Sequence, residues 1–186
     1  MKLILASASR RRRDLLRSLK VPFRVIPSHV SESSTSKRPV QLVRELALRK
    51  ASSIAKRIKD GVVLGADTVV VLGGKILGKP RDARDAYRML GRLSGSTHYV
   101  YTGIALVHAR SRKALLGHAK SAVKMKKIPA QELRRLARKH LDKAGAYAIQ
   151  QRKDPIARVV RGSYDNVVGL PMAKVKALLK KLARVA

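Results

Sequence analysis

The run Val62-Val63-Leu64-Gly65-Ala66-Asp67-Thr68-Val69-Val70-Val71-Leu72 constrains this chain more than any other segment. It is apolar and rich in β-branched residues, interrupted only at Gly65–Thr68, and reads as a buried strand. A carboxylate stands near its middle. Burying an unpaired charge is expensive, so Asp67 is expected to face a metal, a cation or a cleft. The alternative is a carboxylate at a sheet edge, paired with a lysine.

Helical and extended periods alternate around this strand. Strands are expected at Lys2–Ala6 and Phe23–Ile26, and Ser9 is placed to cap a helix with Leu15, Leu16 and Leu19 on its apolar face. After a Ser-rich loop, 28–38, Pro39 opens a helix through Lys59. Gly73-Gly74 suits a hairpin turn, and Asp82 caps a helix to Leu93. Long strands at Tyr99–Ala109 and Ala114–Ile128 flank the polar turn Arg110–Lys113. A helix at Pro129–Lys139, strands at Ala146–Gln150 and Arg158–Val160, and a helix at Pro171–Ala183 complete the chain. No repeat or linker divides it. This order predicts an α/β fold over 1–186 as one domain, with a mixed, twisted sheet flanked by helices and two lobes around a central cleft.

Composition narrows the function. Apolar residues make up 45% of the chain, enough for a core, and the absence of cysteine removes disulfides and thiolate chemistry. No apolar run approaches the ~18–20 residues of a membrane span. The opening Met1–Ala8 has too short an apolar stretch for a signal sequence, so a cytoplasmic location is expected. Lys and Arg number 43 against 11 Asp and Glu, a net charge of +32. Such charge suits polyanions, and non-specific nucleic-acid binding is one consequence. The other reading is a generally basic surface. Both ends of the chain carry the excess, and aromatic residues make up only 3%, leaving little for base-stacking platforms. These two facts favour the second reading.

Three clusters can do chemistry. Arg10-Arg11-Arg12-Arg13 opens a helix, where cations oppose the macrodipole. The arrangement becomes favourable if a phosphate sits there, held by backbone N–H groups, Ser7, Ser9 and the guanidinium forks; a solvated basic turn is the alternative. Gly73–Lys79 satisfies G-x-x-x-x-G-K, but Pro80 stands where a P-loop needs Ser or Thr. We reject the P-loop and retain Lys79 as a phosphate ligand. The five histidines show no zinc-binding spacing. An oxygen-rich site for Mg2+ or Mn2+ fits better, with Asp67 and Glu32 the leading carboxylates.

Five ordered blocks carry a family resemblance. They are Leu5–Leu16, Gly65–Val70 with Gly78-Lys79-Pro80, Leu93–His98 with Tyr101-Thr102-Gly103, Asp142–Gln150 and Gly162–Pro171. Together they resemble the Maf family of nucleotide pyrophosphatases almost from end to end. The resemblance implies a two-lobed Maf/ITPase-like fold and cleavage of a nucleoside triphosphate to monophosphate and pyrophosphate with a divalent metal. It implies an active set of Ser7, Arg12, Glu32, Lys50, Asp67, Lys79 and Gln150, with Asp67 as proton acceptor or metal ligand. Arg11, Thr68 and Gln150 match the branch acting on dTTP and UTP, whereas the 7-methyl-GTP branch has tryptophan and glutamine at the first two. Two departures stand near the expected nucleotide site: Arg10 replaces a proline, and Gln151–Pro155 replaces a glycine-rich turn. A homodimer is compatible with the resemblance.

Overall fold

The computed structural model describes residues 2–149 and 156–184. Strands are β1 (Leu3–Leu5), β2 (Phe23–Val25), β3 (Val62–Leu72), β4 (Lys75–Leu77), β5 (Thr97–His108), β6 (Ala114–Met125) and β7 (Ala157–Arg161). Helices are α1 (Arg10–Arg17), α2 (Pro39–Ala55), α3 (Ala83–Leu93), α4 (Ala130–Ala137), α5 (Tyr164–Val168) and α6 (Met172–Ala183). The strands form one mixed sheet in the order β2-β1-β3-β5-β6-β7, with β4 on the end of β3. β1 is parallel to β2 and β3, while the β3–β4 and β6–β7 pairs are antiparallel.

The chain divides into two compact units. The first comprises Met1–Asp67, Thr102–Ala119 and Gly169–Ala186. Strand alternation organises it. On one face of the sheet Val62, Leu64 and Ala66 of β3 join Ile104, Leu106, Leu16 of α1, and Val175 and Leu182 of α6. On the other, Val63, Ala105 and Val107 meet Ala47, Ala51, Ile54 and Ala55 of α2. Ser9 caps α1 as expected, its Oγ accepting from the Arg12 N–H at 3.4 Å.

Two glycines set how closely α2 lies on the sheet. A Cβ on Gly65 would stand 2.2 Å from the Ala47 carbonyl oxygen and 2.8 Å from the Ala51 nitrogen. One on Gly103 would stand 2.2 Å from the Val43 carbonyl oxygen. The obstructing atoms are helix backbone, so only glycine permits this separation.

The second unit comprises Thr68–Tyr101 and Lys120–Val168. Its core joins Val100 of β5, Val123 and Met125 of β6, Leu90 and Leu93 of α3, and Leu133 and Leu136 of α4. Gly73 and Gly74 have φ of +52° and +74°, the left-handed pair that a tight hairpin turn needs. His98 is fully buried; its Nε2 lies 2.7 Å from the Tyr147 Oη and its ring meets the Tyr147 ring edge-on. Burial pulls the imidazole down to about 4, so it is neutral at pH 7.

Three details correct the sequence reading. Residues 146–149 are not a strand: Ala144–Ala146 is a 3-10 turn in which Gly145 and Ala146 both have positive φ, and Gln150 lies outside the described residues. α2 ends at Ala55, and α5 is a short helix that periodicity did not indicate.

Two measurements follow from this packing. Gly65→Ala is expected to lower stability by at least ~1–3 kcal/mol, because the added methyl must lift α2. Gly91→Ala on α3, where an added Cβ meets nothing within 4 Å, is expected to be neutral or to stabilise by up to ~1 kcal/mol. Urea midpoints that are equal for both variants would refute the close-approach role. For His98, the unfolded chain binds the proton near 6.5 and the folded chain only near 4. Its contribution is therefore complete above pH 6.5 and is lost as pH falls towards 4, by up to about 3 kcal/mol. His98→Gln should flatten that part of the stability–pH curve, and parallel curves for the two proteins would contradict it.

Candidate active site

Strand alternation directs Asp67 to the same side of β3 as Gly65, the side that α2 covers. Because the helix lies close, Lys50 on α2 reaches it: Lys50 Nζ donates to Asp67 Oδ1 at 2.6 Å. Both side chains are about nine-tenths buried, at 10% and 9% exposure. The same ammonium donates to Glu32 Oε1 at 2.7 Å, and this second carboxylate is exposed to solvent. One cation thus holds together two carboxylates that are 35 residues apart in sequence. Of the two sequence readings of Asp67, the partner is a cation. It is a lysine, but β3 is an interior strand, between β1 and β5, rather than an edge.

Glu32 belongs to the Ser-rich loop before α2, and that loop is tied down on both sides of it. Arg49 Nη1 donates to the carbonyls of Ser31 at 2.8 Å and Ser33 at 2.7 Å. Arg49 also pairs with Glu45, which accepts from Ser34 Oγ at 3.0 Å. Sequence reasoning missed Arg49, Glu45 and Ser34. The available signal was the spacing of Glu45 and Arg49, one helical turn apart, beside a serine-rich loop.

Arg12 completes the cluster from the first turn of α1. Its Nε donates to the Gly169 carbonyl at 2.8 Å, and its Nη1 to the Ala66 carbonyl at 2.9 Å and the Ser7 Oγ at 3.5 Å. Burial draws the guanidinium below its ordinary range; Asp67 opposes that shift, Arg11 adds to it and Glu32 again opposes it. Ser7 is buried and also accepts from the Ser9 N–H at 3.2 Å. Gly169, with φ of +110°, delivers its carbonyl from the block Gly162–Pro171. That contribution was not visible in the sequence.

Ser7, Ser9, Arg11, Arg12, Glu32, Lys50 and Asp67 therefore all lie in the first unit. Thr68 and Lys79 lie in the second: Thr68 is the next residue along β3 and half-buried, and Lys79 is exposed between β4 and α3. Gln150 is outside the described residues.

The donor set fits a hard divalent cation. Among the described residues no group of three His, Cys, Asp or Glu side chains forms a metal cage. Magnesium does not need one, because it is held by one or two carboxylates while water and substrate phosphates fill its remaining positions. Glu32 and Asp67, which both accept from the Lys50 ammonium, are the two carboxylates that would hold such an ion. Lys50, Arg12 and the N-terminus of α1 add positive potential suited to phosphate oxygens.

Comparison with known proteins shows the family. The family model described as Maf-like protein matches residues 2–182. The chain belongs to the Maf-like protein family. Curated Maf-like relatives include the dTTP/UTP pyrophosphatase of Pelotomaculum thermopropionicum, 44% identical over 96% of this chain and 95% of that protein. Those of Elusimicrobium minutum and Syntrophus aciditrophicus are 41% and 46% identical, over 97% of this chain and 98% and 90% of theirs. Among solved structures, the Ham1 protein of Staphylococcus aureus superposes with a TM-score of 0.59 at 12% identity, over 97% of this chain and 99% of that one. That likeness places the Maf-like chain in the same mixed α/β fold.

Removing the central cation tests the construction of the site. Lys50→Met leaves Asp67 buried without its partner and is expected to cost about 3 kcal/mol. Adding Asp67→Asn should restore part of that loss, so urea midpoints of the two single variants and the double variant should not add. Strict additivity would show that the pair is not coupled.

Proposed function

We propose that this chain hydrolyses dTTP and UTP to the nucleoside monophosphate and pyrophosphate in the presence of Mg2+ or Mn2+. The observation that carries the proposal is the buried Lys50–Asp67 pair with Glu32 on the same ammonium and Arg12 beside it. A pure polyanion binder gains nothing from carboxylates there, since they repel its ligand. Hydrolysis of a phosphoanhydride needs both signs, cations for the phosphates and a carboxylate for the water.

The chemistry assigns each residue a task. Glu32 and Asp67 would hold the divalent cation, which when bound supplies Lewis-acid polarisation of the phosphate. Asp67 accepts a proton from the water that attacks the α-phosphorus in line. The bond between that phosphorus and the bridging oxygen breaks, and pyrophosphate leaves with the electron pair. Lys50, Arg12 and Lys79 neutralise the triphosphate, with Ser7 and Ser9 as hydrogen-bond donors to its oxygens. Lys50 exchanges a carboxylate contact for a phosphate contact when substrate arrives. Arg12 is fixed by two backbone carbonyls beforehand, so little orientational freedom is left to lose on binding.

Base selection is assigned to Arg11, Thr68 and Gln150, the residues matching the dTTP/UTP branch. A pocket with fixed donors and acceptors rejects bases that leave those groups unpaired. The relatives named dTTP/UTP pyrophosphatase support the same choice. The proposed setting is the cytoplasmic nucleotide pool.

One experiment tests the proposal. Wild-type protein and Asp67→Asn are incubated with dTTP, UTP, CTP, GTP and 7-methyl-GTP, with Mg2+, Mn2+ or chelator, and the products are identified. The expected outcome is monophosphate and pyrophosphate from dTTP and UTP, metal dependence, and a rate lower by ~10²–10⁴ in the folded variant. Stepwise orthophosphate release would refute the reaction, and a preference for GTP or 7-methyl-GTP would refute the assigned branch.

A further inference from the structure

The second unit carries a sheet face that its core does not use. On β5, His98 and Val100 point into the core, and Tyr99 and Tyr101 alternate with them onto the opposite face. On β6, Val123 and Met125 point inward, and Lys120 and Lys124 lie on the outer side. Lys124 pairs across to Arg158 on β7. Tyr99 is 41% exposed, Tyr101 is half-buried, and Lys120, Lys124 and Arg158 are exposed.

Charge on these strands has one sign. Segments 94–101, 120–128 and 156–163 contain six Lys or Arg and no Asp or Glu. Some cations on the helices pair with carboxylates of the same helix, as Arg17 does with Asp14 and Arg135 with Glu132. Lys120 has aromatic partners instead, its Nζ lying 4.0 Å from the Tyr99 ring centroid and 5.4 Å from that of Tyr101. Two residues along a strand are about 6.8 Å apart, so one ammonium reaches both rings.

We infer that this face binds single-stranded nucleic acid. A planar base takes the place of the ammonium against the tyrosine rings, and Lys120 moves to a flanking phosphate. Lys124 and Arg158 contact further phosphates along the strand. Aromatic side chains on an open sheet, bordered by cations, recognise unpaired bases because every base has a π-face. Duplex has no unstacked base to offer. An aromatic content of 3% argues against such a platform when averaged over the chain, but the structure gathers two of the five tyrosines side by side.

The test is fluorescence anisotropy with short labelled oligothymidylate and oligoadenylate and with a duplex of equal length, at ionic strengths from about 50 mM upward. Both single strands should bind more tightly than duplex. The double variant Y99A/Y101A should lose about tenfold or more on single strands and little on duplex, whereas Y99F/Y101F should bind as wild type. If Y99A/Y101A does not fold, K124Q/R158Q decides, since both positions are exposed. That variant should weaken single-strand binding and reduce the slope of log K against log salt by about 1.4. Unchanged binding by folded Y99A/Y101A, an unchanged slope in K124Q/R158Q, or duplex preferred to single strand would each overturn the inference.

Discussion

Contact between the backbone of α2 and the strands beneath it is the constraint on which the first unit depends. Helices usually rest on sheets through side chains, which keep the two backbones well apart. At Gly65 and Gly103 no side chain intervenes, and Ala47 and Ala51 present only methyl groups from the helix. The consequence is chemical as well as steric. Lys50 sits within the Gly65 contact, between Ala47 and Ala51 on the helix, near enough for its Nζ to reach Asp67 Oδ1 at 2.6 Å. Greater separation would leave a buried carboxylate without a counter-ion, at the cost that normally keeps such residues out of cores. Packing and the placement of charge are here one interaction.

That interaction explains which parts of the site were readable in the sequence. Asp67 stood out because a carboxylate inside an apolar strand contradicts its surroundings. Lys50 did not, because one more lysine on a helix has no local signature in a chain with 43 basic residues. Its role was implied only by family resemblance, and its placement depends on two glycines distant from each other in sequence. Arg12 was anticipated as a phosphate ligand in a basic helical turn. Its anchoring by the Ala66 and Gly169 carbonyls required knowing that the ends of the chain meet. Arg49 was missed for a similar reason, since its partners are backbone carbonyls, which every sequence contains.

The fold was legible where the period was long and failed where the backbone itself decides. β3, β5, β6 and the larger helices have enough residues for alternation or the 3.6-residue repeat to dominate, and their ends shift by only a few residues. Ala146–Ile149 imitates a strand by alternating Ala, Tyr, Ala and Ile. Gly145 and Ala146 both adopt positive φ there, a choice of backbone that side-chain patterning cannot encode. α5 was invisible because five residues contain little more than one turn. Tyr99 and Tyr101 illustrate a further limit: composition averages over the chain, whereas recognition depends on which few side chains share a face.

The scarcity of acidic residues gives the cluster around Lys50 its meaning. With +32 net charge, any carboxylate has cations within reach, and most need only the nearest one. Asp14, Glu45, Asp85 and Glu132 each pair with an arginine three or four positions along the same helix. Such pairs are local, exposed or half-exposed, and worth little individually. Asp67 and Glu32 instead meet a single lysine 17 and 18 positions away, with the Asp67 end buried. No local helical geometry forces that pairing, and surface neutralisation would have been satisfied more cheaply elsewhere. Two carboxylates sharing one cation also leave negative charge in excess at that point, inside an otherwise positive molecule. A second positive charge is therefore electrostatically favoured there, and the Arg12 guanidinium, which feels both Asp67 and Glu32, supplies it.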